Sequence, residues 1–261
     1  MNIKFLWWEL PLYGVLFYAG IAAAAVVAML ISKKRNLSKF DLVSSGVYAM
    51  IGAFLGAKIL FWAVSYKEIA EAFKQYPFED VLFSIIKGGF VFYGGLIGGV
   101  LGLVIYVKQF KMSFGAFAEM FSVVIPLGHS IGRVGCFFAG CCYGIEYHGA
   151  FSHTYTEVAG NTPIGVPLLP VQLIEAACLL CLFAILLVAF LKKPKNPAFC
   201  PSVYAVGYAV IRFALEFFRG DRERGLLVGI STSQWISIVV VCFVVCLSLI
   251  KIKNRKNKPS L

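Results

Sequence analysis

Charge is scarce in this sequence. Of 261 residues only 14% are charged, against roughly 25% in an average soluble domain, while 60% are hydrophobic and the mean hydropathy is +0.83. Too little polar surface is available to cover a water-soluble core, so a soluble globular fold is excluded and an integral membrane protein is expected. Histidine is scarcer still, with three in the chain, and the 13 acidic residues are outnumbered by 24 basic ones for a net charge of +11. A nucleic-acid binder can carry such an excess. Here, however, the Lys and Arg fall in short clusters between apolar runs rather than on one soluble face, so they read as topology signals and no nucleic-acid partner is expected. Sequence repeats, low-complexity tracts and a soluble domain of any size are also absent. The organisation expected is one membrane domain over residues 1–261.

What is present is apolar length. A membrane helix needs about 20 apolar residues, and about seven runs meet or approach that: 11–32, 42–66, 83–107, 114–132, 171–191, 201–219 and 230–250. The fold class expected is therefore an all-α integral membrane protein of about seven transmembrane helices. The first run is too long and too rich in glycine and aromatics for a cleavable signal, with no small-residue cleavage site before Lys33, so it reads as a retained helix. Basic clusters follow the first, third, fifth and seventh spans: Lys33, Lys34, Arg35 and Lys39; Lys108 and Lys111; Lys192, Lys193 and Lys195; Lys251, Lys253, Arg255, Lys256 and Lys258. By the positive-inside rule the N-terminus lies outside and the C-terminus in the cytoplasm. The loop with Glu68, Glu71, Glu79 and Asp80, the segment from about 134 to 169 and the 222–229 loop then face the exterior, with Trp7 and Trp8 at the outer interface. Within that exterior, residues 145–170 are too polar and too punctuated by Gly and Pro to span, and read as a small extracytoplasmic head segment with a hairpin around Asn161.

The residues that demand explanation are ionisable ones in this apolar setting. Arg133 lies in the stretch GHSIGRVGCFFAGCCYG, and a guanidinium in or beside a span costs several kcal/mol unless an anion meets it. The sixth span carries Tyr208, Arg212, Glu216 and Arg219 at a spacing that puts them on one helix face. Arg212 and Glu216 can simply pair; an excess cation from Arg219, with Arg133, favours an anion site, and Arg forks match phosphate oxygens. Lys58 either snorkels or serves a site, and Glu175, near Pro170 and Gln172 at the start of the fifth span, either pairs with an arginine or acts on substrate. The glycines flanking Tyr93, among them Gly88, Gly89, Gly94, Gly95, Gly98, Gly99 and Gly102, permit close helix packing or a break near Gly94–Gly95 that exposes backbone N–H groups. Cys136, Cys141 and Cys142, with His129, His148 and His153 nearby, contain metal-ligand types, but their spacing matches none of the usual zinc patterns. No metal or cofactor is expected; packing, a disulfide and a thiolate favoured by Arg133 remain open for the trio. Cys178, Cys181, Cys200, Cys242 and Cys246 read as small packing residues.

Five motifs in order over nearly the whole chain resemble the bacterial prolipoprotein diacylglyceryl transferases. Tyr13-Gly14 resembles that family's early Tyr-Gly, FYGGLIGG its F-H-G-G-L-I-G block, and GRVGCFFAGCCYG its G-R-x-G-N-F-x-N-G-E-x-x-G signature. PVQLIE is similar to P-S-Q-L-Y-E, and GYAVIRFALEFFR to G-Y-x-x-F-R-x-x-x-E-F-F-R. The resemblance implies an enzyme of the bacterial cytoplasmic membrane that moves the diacylglyceryl group of phosphatidylglycerol to the lipobox cysteine thiol of an exported prolipoprotein, releasing glycerol phosphate. Arg133 and Arg212 would hold the lipid phosphate as the C–O bond breaks, with Tyr93 the third catalytic position. Glu175 and Glu216 would orient those arginines, Tyr13 and Tyr208 would contact the head group, Gly94, Gly95 and Gly144 would allow close substrate approach, and Arg219 would add to the binding site. The partners implied are phosphatidylglycerol, the lipobox segment and membrane lipids.

The chain departs from the pattern on the side that manages the nucleophile. Tyr93 stands in place of histidine, Cys136 and Ala139 in place of asparagines, Cys141 in place of glutamate and Lys58 in place of arginine. A phenol with a pKa of about 10 is a poorer base at neutral pH than an imidazole. Three readings follow: the same transfer by modified means, a transferase of this fold with another acceptor, and a non-catalytic lipid-binding or lipid-moving protein that keeps only the phosphate site.

Overall fold

The computed structural model describes residues 2–5, 8–158, 162–192, 196–221, 226–227 and 229–256. Trp7, the hairpin expected around Asn161, Lys193 and Lys195, and most of the 222–229 loop lie outside the described residues. The chain falls into two compact units, one formed by residues 1–34 and 118–261 and the other by residues 35–117.

The helices are α1 (Leu12–Ile31), α2 (Lys39–Val64), α3 (Tyr66–Gln75), α4 (Phe78–Lys87), α5 (Phe92–Gln109), α6 (Phe114–Ala139), α7 (Val171–Leu191), α8 (Phe199–Glu216) and α9 (Thr232–Lys256). Among the described residues strands form three two-stranded antiparallel pairs: β1 (Asn2–Phe5) with β2 (Trp8–Pro11), β3 (His153–Thr154) with β4 (Pro167–Leu168), and β5 (Leu226–Leu227) with β6 (Ile230–Ser231). Among the described residues six helices are long and apolar enough to cross a bilayer: α1, α2, α5, α6, α7 and α9. The expected seventh, α8, has the length, but Arg212, Glu216 and its tyrosines dilute its apolar character. Large apolar side chains such as Leu30, Phe40 and Val64 stand exposed on helix surfaces, which is the pattern of a chain solvated by hydrocarbon. The protein is a multi-pass membrane protein.

Three boundaries differ from expectation. The run 83–107 is two helices, because Gly88 ends α4 and Gly89 takes a left-handed φ of +71° that suits glycine. The break therefore falls ahead of Tyr93, and Gly94–Gly95 sit inside the first turns of α5. The fourth span does not stop at 132 but runs to Ala139, so residues 134–139, expected in an external segment, are helix. Its end is a Schellman closure: Gly140 at φ +67° donates to the Phe137 carbonyl, and Cys141 N–H reaches back to the Cys136 carbonyl. Finally α8 ends at Glu216, so Arg219 does not share its polar face.

In the 35–117 unit the glycines settle as packing devices. Gly94, Gly98 and Gly102 recur every fourth residue on α5 and meet Gly56, Gly52 and Tyr48 of α2, where an added Cβ would strike backbone carbonyl oxygens. Lipid supplies no hydrophobic drive between helices, so this backbone proximity, with its dispersion contacts, holds the pair. Lys58 is buried on α2 rather than snorkelling: its ammonium donates to the carbonyls of Ile85 (2.7 Å), Ile86 (3.0 Å) and Gly88, at the end of α4, and lies 4.1 Å from the centroid of Phe90. All three of its donors are spent on carbonyls that a helix end leaves without partners.

The other unit is built on a similar close approach. A Cβ at Gly20 of α1 would lie 2.6 Å from the Gly128 carbonyl of α6, and one at Gly135 would lie 3.4 Å from the Tyr13 ring. Ser130 of α6 donates to the Ala176 carbonyl of α7 (2.9 Å), and α8 packs against both α7 and α9. Arg133, Glu175 and the polar face of α8 are thereby held in one helix cluster.

Candidate functional site

The site grows from α6. His129 and Arg133 are one turn apart and share a face. Across from them Arg133 Nη2 lies 3.0 Å from Glu175 Oε1, and His129 Nε2 lies 3.9 Å from the same oxygen. On α8, Arg212 Nη2 lies 2.5 Å from Glu216 Oε2, an i,i+4 pair, and is 3.3 Å from the Ser233 hydroxyl of α9. Ser233 is itself 3.0 Å from the Ser231 hydroxyl. Tyr208 joins the two halves: its ring meets His129 edge-on at 5.3 Å, and both arginines act on it electrostatically.

The ion pairs do not exhaust the guanidiniums. Arg133 Nε and Arg212 Nη1 are buried N–H donors without a hydrogen-bond partner among the described residues, and Glu175 Oε1 and Glu216 Oε2 touch their arginines without hydrogen-bond alignment. An orphaned buried donor costs about 1–3 kcal/mol, more when charged. Two such donors on two charged groups are best met by a ligand anion with several oxygens. The pairing of Arg212 with Glu216, one of the two readings open from sequence, does form. It leaves the anion reading standing because a donor remains.

Arg219 has a different place from the one expected. It lies beyond α8, buried, with Nε 2.8 Å and Nη2 2.6 Å from the two carboxylate oxygens of Asp221. This bidentate pair offsets the excess cation that the sequence suggested. Gly144 packs against this chain's own backbone. It forms an antiparallel bridge with Arg219, and a Cβ there would strike the Leu169 carbonyl and come within 2.5 Å of Val171. The signature's last glycine thus lets three stretches of this chain cross closely.

The cysteines follow directly after α6. None of the eight cysteines is in a disulfide among the described residues. Cys141 Sγ is 3.7 Å from the Cys136 carbonyl, and Cys142 adopts φ +59°, unusual for a residue with a side chain. Outside the helix, hydrogen bonds to Cys136 and Cys141, with one from Arg219, pull the Cys142 thiol below the usual thiol range, while hydrogen bonds to Cys136 and Cys142 and burial push Cys141 up. No group of three or more His, Cys, Asp or Glu side chains with metal-holding geometry occurs among the described residues. Cys181, Cys242 and Cys246 are exposed on their helices rather than packed, whereas Cys200 is buried, 3.8 Å from Glu119. The turn after α6 is secured by Gln172, which donates to the Cys141 carbonyl (2.7 Å), by Tyr155, which donates to Phe137 (3.0 Å), and by Thr162 on Gly140.

One unit therefore brings together Tyr13, His129, Arg133, Glu175, Tyr208, Arg212 and Glu216. Tyr93, Gly94, Gly95 and Lys58 belong to the other unit. Sequence reasoning assigned no role to His129, Ser233 or Asp221. His129 was findable as the residue four before Arg133, and Asp221 as the acid two after Arg219; Ser233 carries no local signal, since its partner Arg212 lies on another helix.

Comparison with known proteins identifies relatives over nearly the whole chain. The family model described as "Prolipoprotein diacylglyceryl transferase" matches residues 2–250. The chain is similar to phosphatidylglycerol–prolipoprotein diacylglyceryl transferase 2 of Clostridium perfringens, at 29% identity over 246 residues, covering 94% of this chain and 93% of that protein. A phosphatidylglycerol–prolipoprotein diacylglyceryl transferase of Clostridium tetani is 31% identical over 232 residues, 88% of each chain. One from Dehalococcoides mccartyi is 29% identical over 249 residues, 94% of this chain and 90% of that protein.

Proposed function

From the premise that the chain belongs to the prolipoprotein diacylglyceryl transferase family, we propose that it transfers the diacylglyceryl group of phosphatidylglycerol to the lipobox cysteine thiol of an exported prolipoprotein, releasing glycerol phosphate. The observation that carries this reading is the pair of unspent buried donors, Arg133 Nε and Arg212 Nη1. A phospholipid phosphate is an anion already resident in the bilayer, and a guanidinium fork gains most where a C–O bond breaks and negative charge grows on phosphate oxygens. Arg133 and Arg212 hold the phosphate, Glu175 and Glu216 orient them, and Tyr13 and Tyr208 border the head group. Tyr93, Gly94 and Gly95 enter this reading by their place in the family motif. Gly144 and Arg219 serve by shaping the wall behind the cysteine turn.

The same reading places the protein in a bacterial cytoplasmic membrane with the N-terminus outside, the C-terminus in the cytoplasm and residues 145–170 as an extracytoplasmic head segment; the alternation of basic clusters supports this orientation. The test is incubation of purified protein with phosphatidylglycerol micelles and a lipobox peptide, reading peptide mass and released glycerol phosphate. Mass gain on the thiol, lost in Arg133→Ala and Arg212→Ala, is expected. Lipid binding without mass gain refutes the transfer and leaves the lipid-binding reading. Cys136, Cys141 and Tyr93, where the family pattern has other residues, favour one second reading, a transferase with a different acceptor; glycerol phosphate release without peptide modification would reveal it.

A further inference from the structure

We propose that His129 is a catalytic residue that accepts the proton of the attacking thiol. The inference rests on the transfer reaction proposed above. An ordinary thiol has a pKa of about 8.5, so attack at neutral pH needs a nearby base with a free lone pair. The carboxylates of the site are already committed, Glu175 and Glu216 to arginines and Asp221 to Arg219. His129 differs from them. Neither of its ring nitrogens makes a hydrogen bond among the described residues, the nearest carboxylate oxygen being 3.9 Å away. Its side chain is 28% exposed, against 14% for Arg133 and 1% for Glu175, so it is the most accessible of the three.

Ionisable groups of three helices surround it. Arg133 from its own helix, Glu175 from α7, and Tyr208 and Arg212 from α8 face the imidazole. The groups proposed to hold the phosphate are thus the groups that border the base, which brings proton acceptor and leaving group to one wall. In the step, the S–H bond breaks and the proton passes to a ring nitrogen of His129. The sulfur electron pair forms the C–S bond to the glyceryl carbon, and the C–O bond breaks with its pair going to the phosphate oxygen held by Arg133 and Arg212. The proton then passes from the imidazolium to glycerol phosphate, and the neutral ring is restored. Glu175, beside the ring, offsets the transient positive charge. His129 thereby supplies, from α6, the imidazole that Tyr93 lacks.

The experiment compares wild type, His129→Gln and His129→Ala with phosphatidylglycerol micelles and a lipobox peptide across pH 6–9. Loss of a positioned base lowers kcat by about 10²–10⁴-fold, and the KM for phosphatidylglycerol should stay unchanged. The deficit should shrink as the pH approaches the thiol's own pKa, and added imidazole should restore turnover in His129→Ala. His129→Gln preserves size and polarity should the alanine variant not fold. A variant with wild-type rate and pH profile overturns the proposal, as does a loss that is flat with pH and unaffected by imidazole. Wild type that forms no thioether overturns the transfer reading itself, and the proposal with it.

Discussion

Arg133→Gln separates what this arginine does for the fold from what it does for a substrate. Glu175 is 1% exposed and has Arg133 at 3.0 Å and His129 at 3.9 Å as its cationic or potentially cationic neighbours. Removing one member of a buried ion pair costs about 3–5 kcal/mol, because the surviving charge is left desolvated. The single variant should therefore unfold at clearly lower temperature or denaturant. Adding Glu175→Gln removes the stranded carboxylate, and stability should return to within about 1 kcal/mol of wild type, since a neutral polar pair of similar size costs far less to bury. Activity should not return, because a lost charge-stabilising donor lowers the rate by about 10²–10³ whether or not the fold is repaired. The assay is a double-mutant cycle read twice, by thermal unfolding of the detergent-purified protein and by thioether formation on a lipobox peptide. A double variant with wild-type turnover would refute a substrate role for Arg133. A single variant as stable as the double would refute the dependence of Glu175 on it.

Other parts of the molecule give independent checks. Gly98→Leu, aimed at the Gly52 carbonyl, should force α2 and α5 apart and cost about 1–3 kcal/mol or more; unchanged unfolding would show that the helices do not rely on this contact. Lys58→Met removes the donor to the Ile85, Ile86 and Gly88 carbonyls, so amide exchange at the end of α4 should accelerate, with Lys58→Arg partly restoring protection. A thiol whose pKa is lowered stays ionised to lower pH. Cys142 should therefore alkylate ahead of Cys141 at neutral pH, and Arg219→Ala should move its labelling midpoint upward; equal labelling of the two would refute the assignment. Tyr155→Phe, which deletes the hydrogen bond to the Phe137 carbonyl, should cost about 1 kcal/mol without changing the pH dependence of transfer, because burial holds this phenol protonated, with its pKa pushed up to about 12.

Much of this protein was legible along the chain. Six of the expected spans correspond to helices long enough to cross a bilayer, because the requirement for an uninterrupted apolar run is local. The glycines of α5 declared close packing through their four-residue spacing, yet the break between α4 and α5 was misplaced: which Gly of a cluster turns left-handed depends on what caps the preceding helix, and Lys58 of α2 does that. The helix α6 runs through Gly132 and Gly135, beyond the expected end at 132, and stops where Gly140 takes a positive φ. Arg219 looked like part of the α8 stripe by spacing alone, and it left the stripe because the helix ends at Glu216.

By itself the sequence determined that the chain is a membrane protein, which segments are apolar enough to span, and that arginines in such segments require anions; each follows from solvation energies that act residue by residue. Only the tertiary structure decided which charges cancel and which donors stay unspent. Arg219 is spent on Asp221 and Lys58 on three carbonyls, while Arg133 and Arg212 each retain a buried N–H beside His129. That distinction depends on where each helix ends and on distances between helices. A hydrogen bond is won or lost within a fraction of an ångström, which spacing along a single chain does not specify.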